Sequence, residues 1–293
     1  MHDLPFEHAH QLTDREFEGC CKNCEHSEEI IKEHILGFYE KIRHFTPHKL
    51  RELPVQRLYN LYQVLDDIAN LKAGDRLASL VLADKDIEGV LPTIRYYYAI
   101  FFDVHEESFV RELISSPAPK EFINTFPLLD KYRELIRNQM KELSPSQGQT
   151  MVFLGCGAFP ISPILVASLY NTRVIGIDKN PQKVELARRC IEALGLKDIE
   201  IIEGDERVIS SLDPDIISIA ALAQPKKRIF KNIYNLLTRR RCVVCCRTYS
   251  GLKALLYYPL QKQDIEGFVI KREIRPLGRA NNTVVFLERC DNA

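Results

Sequence analysis

TMVFLGCGAFP, residues 150–160, decides the fold. It opens as a short apolar run bounded by a turn, the pattern of a strand buried on both faces. The turn is Gly155-Cys156-Gly157. The first glycine permits a tight reversal, and the second lets the backbone approach a ligand closely. Pro160 suits the first turn of a following helix. Strand, glycine turn and helix in this order form the nucleotide end of a doubly wound α/β sheet. The third glycine of the dinucleotide fingerprint is missing, leaving a looser G-x-G.

Outward from this turn the two halves of the chain read differently. Downstream, short apolar runs alternate with helical patterns. Strands are expected at about 150–155, 172–177, 199–203, 215–220, 241–247, 268–274 and 282–288, with helices at about 160–170, 181–194 and 225–238. Such alternation implies a parallel sheet covered on both faces. The last two strands are separated only by RPLGRANN, so the sheet is expected to end antiparallel. Seven strands ending this way make a class I methyltransferase-like Rossmann domain. Upstream, the pattern is helical. Ile31, Ile35, Phe38, Tyr39 and Ile42 mark one helix face, Leu58, Leu61, Leu65 and Ile68 a second, and Leu128, Leu129, Tyr132, Leu135 and Ile136 a third. The polar segment SPSQGQ at 144–149 is the expected boundary. The predicted organisation is an all-helical domain over 1–145 and the Rossmann-like domain over 146–293.

Two acids specify the nucleotide. VIGID ends the second strand at Asp178, placed to accept both ribose hydroxyls. IIEGDERV puts Asp205 after the third strand, where such folds hold an adenine amino group. Together with Gly155, Cys156, Gly157 and Pro160 these residues form an S-adenosylmethionine pocket. The competing readings are an N-cap for Asp178, a solvated loop carboxylate for Asp205, and NAD binding, which no dehydrogenase constellation supports.

Composition narrows the partners. Forty basic residues balance forty acidic ones, so no polyanion footprint is present and no nucleic-acid partner is expected. A small-molecule substrate fits better. No apolar run reaches the length of a membrane span, and MHDLPFEHAHQL lacks the features of a signal peptide. A cytoplasmic protein is expected, with a homodimer among the assemblies allowed. The nine cysteines are an odd number, which argues for free thiols. Cys20, Cys21, Cys24 and His26 look like half a metal site without a second half, and no metal is expected.

Four segments carry a resemblance. FLGCGAFPISPILVA at 153–167, FPLLDKY at 126–132, HEESFVRELI at 105–114 and RTYSGLKALLYYP at 247–259, with AALA at 220–223, resemble segments of the nicotianamine synthases in order and spacing. The resemblance implies transfer of the 3-amino-3-carboxypropyl group of S-adenosylmethionine to an amine, with methylthioadenosine released. It implies Glu106 as the base and Tyr132 as the residue that positions the amine, with Ala220 at the strand end lining the site. The acceptor would be an amino acid or a second S-adenosylmethionine, and the product a metal chelator. Two departures stand out. Gln139 occupies a position where the family has glutamate, and Glu107 beside Glu106 is a second candidate base.

The chemistry explains these residue types. A sulfonium is already an excellent leaving group, so the protein mainly positions the nucleophile. An amine is protonated near neutrality, and a carboxylate in a desolvated cleft can take its proton. Such a cleft is predicted between helices and sheet, lined by Glu106, Tyr132 and the 220–223 strand end. Arg247 and Tyr258 are candidates for binding cofactor or substrate carboxylates, and a buried structural role is equally open to both. An ordinary small-molecule methyltransferase is the alternative enzyme, and a non-catalytic cofactor sensor is the alternative outside catalysis.

Overall fold

The computed structural model describes residues 22–146, 148–237 and 242–290. The helices are α1 Lys22–Ile42, α2 Pro47–Arg51, α3 Val55–Ala69, α4 Asp75–Ala83, α5 Lys85–Ser115, α6 Pro119–Phe122, α7 Leu129–Leu143, α8 Ile161–Tyr170, α9 Pro181–Leu194 and α10 Lys226–Leu237. The strands are β1 Thr150–Leu154, β2 Arg173–Asp178, β3 Ile199–Glu203, β4 Ile216–Ile219, β5 Val243–Thr248, β6 Phe268–Ile274 and β7 Thr283–Arg289.

These strands form one seven-stranded sheet in the order β3-β2-β1-β4-β5-β7-β6. The first five are parallel, and β7 runs antiparallel to both β5 and β6. This is the class I methyltransferase order, with its topological switch between β1 and β4. Ligands of open α/β sheets bind beyond the carboxyl ends of the strands at such a point. Each expected strand and each expected C-terminal helix forms within a residue or two of its predicted bounds. The hydrophobic runs are short because the strands are short, and both sheet faces are covered, as the buried β1, β4 and β5 side chains show.

The chain divides into two compact units: Met1–Phe102 with Ser250–Tyr258, and Asp103–Tyr249 with Pro259–Ala293. This division does not follow the 145/146 boundary. It falls inside α5, and the polar segment 144–149 is instead the connector that feeds α7 into β1. Aromatic packing explains the difference. Phe109 of α5 and Phe126 lie 5.0 and 4.8 Å from the ring of Phe159, at the end of the glycine turn. Composition at a loop cannot reveal which core the preceding helices join.

In the first unit, Ile31, Ile35, Phe38 and Ile42 of α1 are buried as the periodicity predicts. In α3 the buried residues are Leu58, Tyr62, Leu65, Ile68 and Ala69, with Leu61 only partly covered. Tyr62 stacks on Phe101 at 4.2 Å, and Tyr97 is buried with its hydroxyl donating to the Leu58 carbonyl at 2.6 Å. Tyr258, in the same unit, lies under the Arg95 guanidinium at 4.6 Å.

Candidate active site

The glycine turn is fixed by backbone bonds from the neighbouring strand. Gly155 and Cys156 N–H groups both donate to the Ile177 carbonyl, at 2.7 and 3.1 Å. Gly155 and Gly157 have φ of +83° and +71°, a region that penalises other residues. At Gly155 a β-carbon would come 3.1 Å from Ala223 Cβ and 3.3 Å from Ala220 Cβ. Ala220 thus closes one side of the turn, and its N–H donates to the Leu154 carbonyl at 3.0 Å. Pro160 is buried and stands at the N-cap of α8, one position before the expected first helical turn, so it shapes the turn rather than the helix. Burial pushes the Cys156 thiol up, keeping it protonated.

Asp178 ends β2 with both oxygens engaged. Oδ2 accepts from Gly157 N–H at 2.9 Å and Oδ1 from Asn180 N–H at 3.0 Å. Each oxygen keeps a lone pair for another donor. The helix cap is Asn180, whose side chain accepts from Gln182 and Lys183 N–H groups, so Asp178 is not the N-cap of α9. Asp205 caps a short 3-10 helix, Glu206–Ser211, and receives Arg207 Nε on both oxygens at 2.9 and 3.1 Å. That pairing, first through the Arg207 hydrogen bond, holds its carboxyl below the usual range. A recess of about 590 Å³ opens beside it, lined by Lys179, Glu203, Gly204, Asp205, Arg207 and Val208.

Glu106 and Tyr132 meet, and both belong to the compact unit of the sheet. The Tyr132 hydroxyl donates to Glu106 Oε1 at 3.3 Å. This is long for an O–H···O bond. Glu106 Oε2 reaches the glycine turn, 2.9 Å from where a β-carbon of Gly157 would stand. Successive helix residues lie about 100° apart, and it is the Glu106 carboxylate that reaches the turn. Burial raises the Glu106 carboxyl to about 8; the Lys183 charge and the Tyr132 bond oppose the rise, and Asp103 and Asp178 add to it. Burial also raises the Tyr132 phenol well above its ordinary value, so it stays a donor. His105, its neighbour, packs on Phe126 at 5.4 Å and is held neutral by burial, with its pKa near 4.

Asp103, Lys183 and Lys226 escape sequence reading. Lys183 pairs with Asp103 at 2.5 Å, and Asp103 lies one helical turn before Glu106 on α5. Lys226 is buried and donates to the Ala220 and Ala223 carbonyls at 2.6 and 2.8 Å, fixing the loop after β4. Both lysines stand in the first turn of a helix, against the macrodipole, and that misfit is a signal readable from sequence. Gln139 is fully buried: its Oε1 accepts from Arg247 Nε and an Nη at 3.2 and 3.1 Å, and its Nε2 donates to Ser218 at 3.0 Å. Arg247 further donates to Ser162 at 2.8 Å and lies over Phe153 at 5.4 Å.

Among the described residues no three His, Cys, Asp or Glu side chains stand together as a metal set. Cys20 and Cys21, and the side chains of Cys24 and His26, lie outside the described residues. No described helix is long and apolar enough to cross a membrane.

The sequence model of the family described as "Nicotianamine synthase protein" matches residues 23–293. The chain belongs to the nicotianamine synthase family. Among solved structures, MtNAS in complex with MTA and tNA is 30% identical, covers 93% of this chain and 100% of its own, and superposes with a TM-score of 0.81. A Glu→Gln variant of MtNAS in complex with S-adenosylmethionine is 29% identical over the same shares, with a TM-score of 0.79. The L-histidine 2-aminobutanoyltransferase of Yersinia pestis is 24% identical over 147 residues, 50% of this chain and 53% of that enzyme. Its counterpart from Pseudomonas aeruginosa strain UCBPP-PA14 is 25% identical over 149 residues, 48% of this chain and 54% of the enzyme. The chain spans about half the length of these curated relatives.

Proposed function

We propose that this family member transfers the 3-amino-3-carboxypropyl group of S-adenosylmethionine to an amine. The observation that carries the reading is the placement of the Glu106–Tyr132 pair against Gly157 of the nucleotide turn. A proton acceptor thereby stands beside the turn that cradles the sulfonium substrate. The amine first gives its proton to Glu106. Its nitrogen lone pair then forms a bond to the methylene next to sulfur in the amino-acid arm. The carbon–sulfur bond breaks, and its electron pair stays on sulfur as neutral methylthioadenosine. Tyr132 orients the amine by its hydroxyl. Asp178 and the turn glycines hold the ribose end, and Asp205 takes the adenine amino group once Arg207 releases it.

The residues fit the substrate. A sulfonium is a cation, and Glu106 and Asp178 are acids that both face Gly157. The bound molecules of the MtNAS structures, S-adenosylmethionine in one and MTA in another, support the same reaction, as do the aminobutanoyltransferase relatives. The acceptor is an amino acid or a second S-adenosylmethionine, and the product a metal-chelating amino acid. The described cysteines are free thiols, which fits a reducing compartment such as the cytoplasm.

Mass spectrometry of products after incubation with S-adenosylmethionine, alone and with candidate amino acids, tests the reading. Methylthioadenosine with a mass gain of one aminocarboxypropyl group on the acceptor is expected. S-adenosylhomocysteine as the by-product would make the protein a methyltransferase and overturn it.

A further inference from the structure

We propose that Lys183, held in place by Asp103, is a positioning residue that keeps Glu106 available as a proton acceptor. The proposal rests on the transferase reading for its purpose, but its geometry stands alone. Two carboxylates, Glu106 and Asp178, meet at the glycine turn, and a third, Asp103, acts on Glu106 from one helical turn away. Asp103 and Glu106 lie at i and i+3 on α5, a spacing that places both on one helix face. Glu106 Oε2 stands 2.9 Å from where a β-carbon of Gly157 would be, and Asp178 Oδ2 accepts from Gly157 N–H at 2.9 Å. Lys183 bonds Asp103 at 2.5 Å, and its positive charge opposes those of Asp103 and Asp178 at Glu106.

The groups facing Glu106 are Asp103 on its own helix, Tyr132 on α7, Asp178 on β2, Cys156 in the turn and Lys183 on α9. Tyr132 and Cys156 are uncharged near neutrality, and the Lys183 charge is what opposes the two acids at Glu106. Burial works to lower the lysine's own pKa, but the Asp103 bond and the charges of Asp103, Glu106 and Asp178 raise it, so the ammonium persists. The lysine pays for its place at the start of α9 against the dipole, and the acids it faces explain why it stands there. Asp103 fixes the ammonium so that it does not swing onto Glu106 and block it. A unit charge at about 6 Å in such surroundings moves a neighbouring carboxyl by about one to two pH units.

Carbon-13 carboxyl titration by NMR on the full chain without substrate tests this, with the Glu106 signal assigned through Glu106→Gln. Lys183→Met is expected to move the Glu106 midpoint up by about one pH unit or more. Asp103→Asn is expected to move it down, because an anion is lost and the lysine is freed toward Glu106. Lys183→Arg should keep it near the wild-type value. A structural role alone does not give opposite signs in Lys183→Met and Asp103→Asn. Unmoved midpoints, or shifts in the same direction, overturn the proposal, and Asp103→Asn with Lys183→Arg decides it if Lys183→Met does not fold. In wild type and folded variants the acid limb of kcat/KM for methylthioadenosine release should track the midpoint, and a limb that stays fixed also overturns it. No transfer by the wild type would sink the transferase reading while the titration still decides the role of Lys183.

Discussion

Glu106 Oε2 occupies the space in which a side chain on Gly157 would begin. A β-carbon there would stand 2.9 Å from it, and the φ of +71° at residue 157 already disfavours any side chain. The nucleotide turn and the proposed base therefore fit together without a shift of the carboxylate because residue 157 is glycine. Gly157→Ala should cost about 1–2 kcal/mol from the left-handed backbone alone. Displacing Glu106 by even 1 Å should cost turnover about 10²-fold. Steady-state kinetics with thermal melting check this, and wild-type kcat in a folded Gly157→Ala protein would detach Glu106 from the chemistry.

Glu106→Gln should lower kcat about 10²–10⁴-fold while S-adenosylmethionine affinity, measured by calorimetry, changes little. Because burial lifts the wild-type carboxyl to about 8, the rate should rise with pH through that value as the base ionises. Stability runs the other way. Between about 4.5 and about 8 the folded protein binds the Glu106 proton and the unfolded chain does not, so stability falls as pH rises across that interval. One pKa unit corresponds to about 1.4 kcal/mol, reduced where solvent screens the partly exposed carboxylate. Glu106→Gln should thus melt above wild type by a margin that grows from pH 5 to pH 9. A margin independent of pH would mean that Glu106 titrates as an ordinary surface residue.

Asp178→Ala should weaken S-adenosylmethionine binding by about 10–100-fold, the loss of charge-assisted bonds of about 1.5–3 kcal/mol. It also removes the acceptor for Gly157 N–H, so the turn loses its brace. An unaltered dissociation constant would reject both roles.

Arg247 is a buried cation that meets an amide oxygen, a hydroxyl and a ring face. Gln139→Leu should therefore destabilise the protein by about 3 kcal/mol, read by denaturant unfolding. Gln139→Glu should remain within about 1 kcal/mol of wild type or exceed it, because a carboxylate keeps the acceptor and adds the missing charge, while the Ser218 hydroxyl can reverse to donate. A larger loss in Gln139→Glu than in Gln139→Leu would show that Arg247 does not need an acceptor there.

Much of the fold is legible because the signals are local. The run Met151–Leu154 with two glycines after it specifies a strand and turn whatever lies beyond, and the bounds of β2, β3 and α9 follow from the same kind of short pattern. Tyr62 shows the limit of periodicity, since it takes the buried place in α3 that the leucine pattern assigns to Leu61. The α5 helix shows another limit. Its second half joins the sheet's unit because Phe109 meets Phe159, a contact across fifty residues that no local pattern encodes.

By itself the sequence determined the sheet, its antiparallel end, the nucleotide turn and Asp178, because strand periodicity and glycine conformation are properties of a few consecutive residues. Segment likeness added Glu106 and Tyr132 as a pair. Only the tertiary structure decided that Glu106 rather than Glu107 faces the turn, that Asp103 and Lys183 stand beside it across 80 positions, and that Arg247 is answered by Gln139 across 108. Those relationships depend on how helices pack on the sheet, which fixes the distance and direction of each side chain and so the charge it feels.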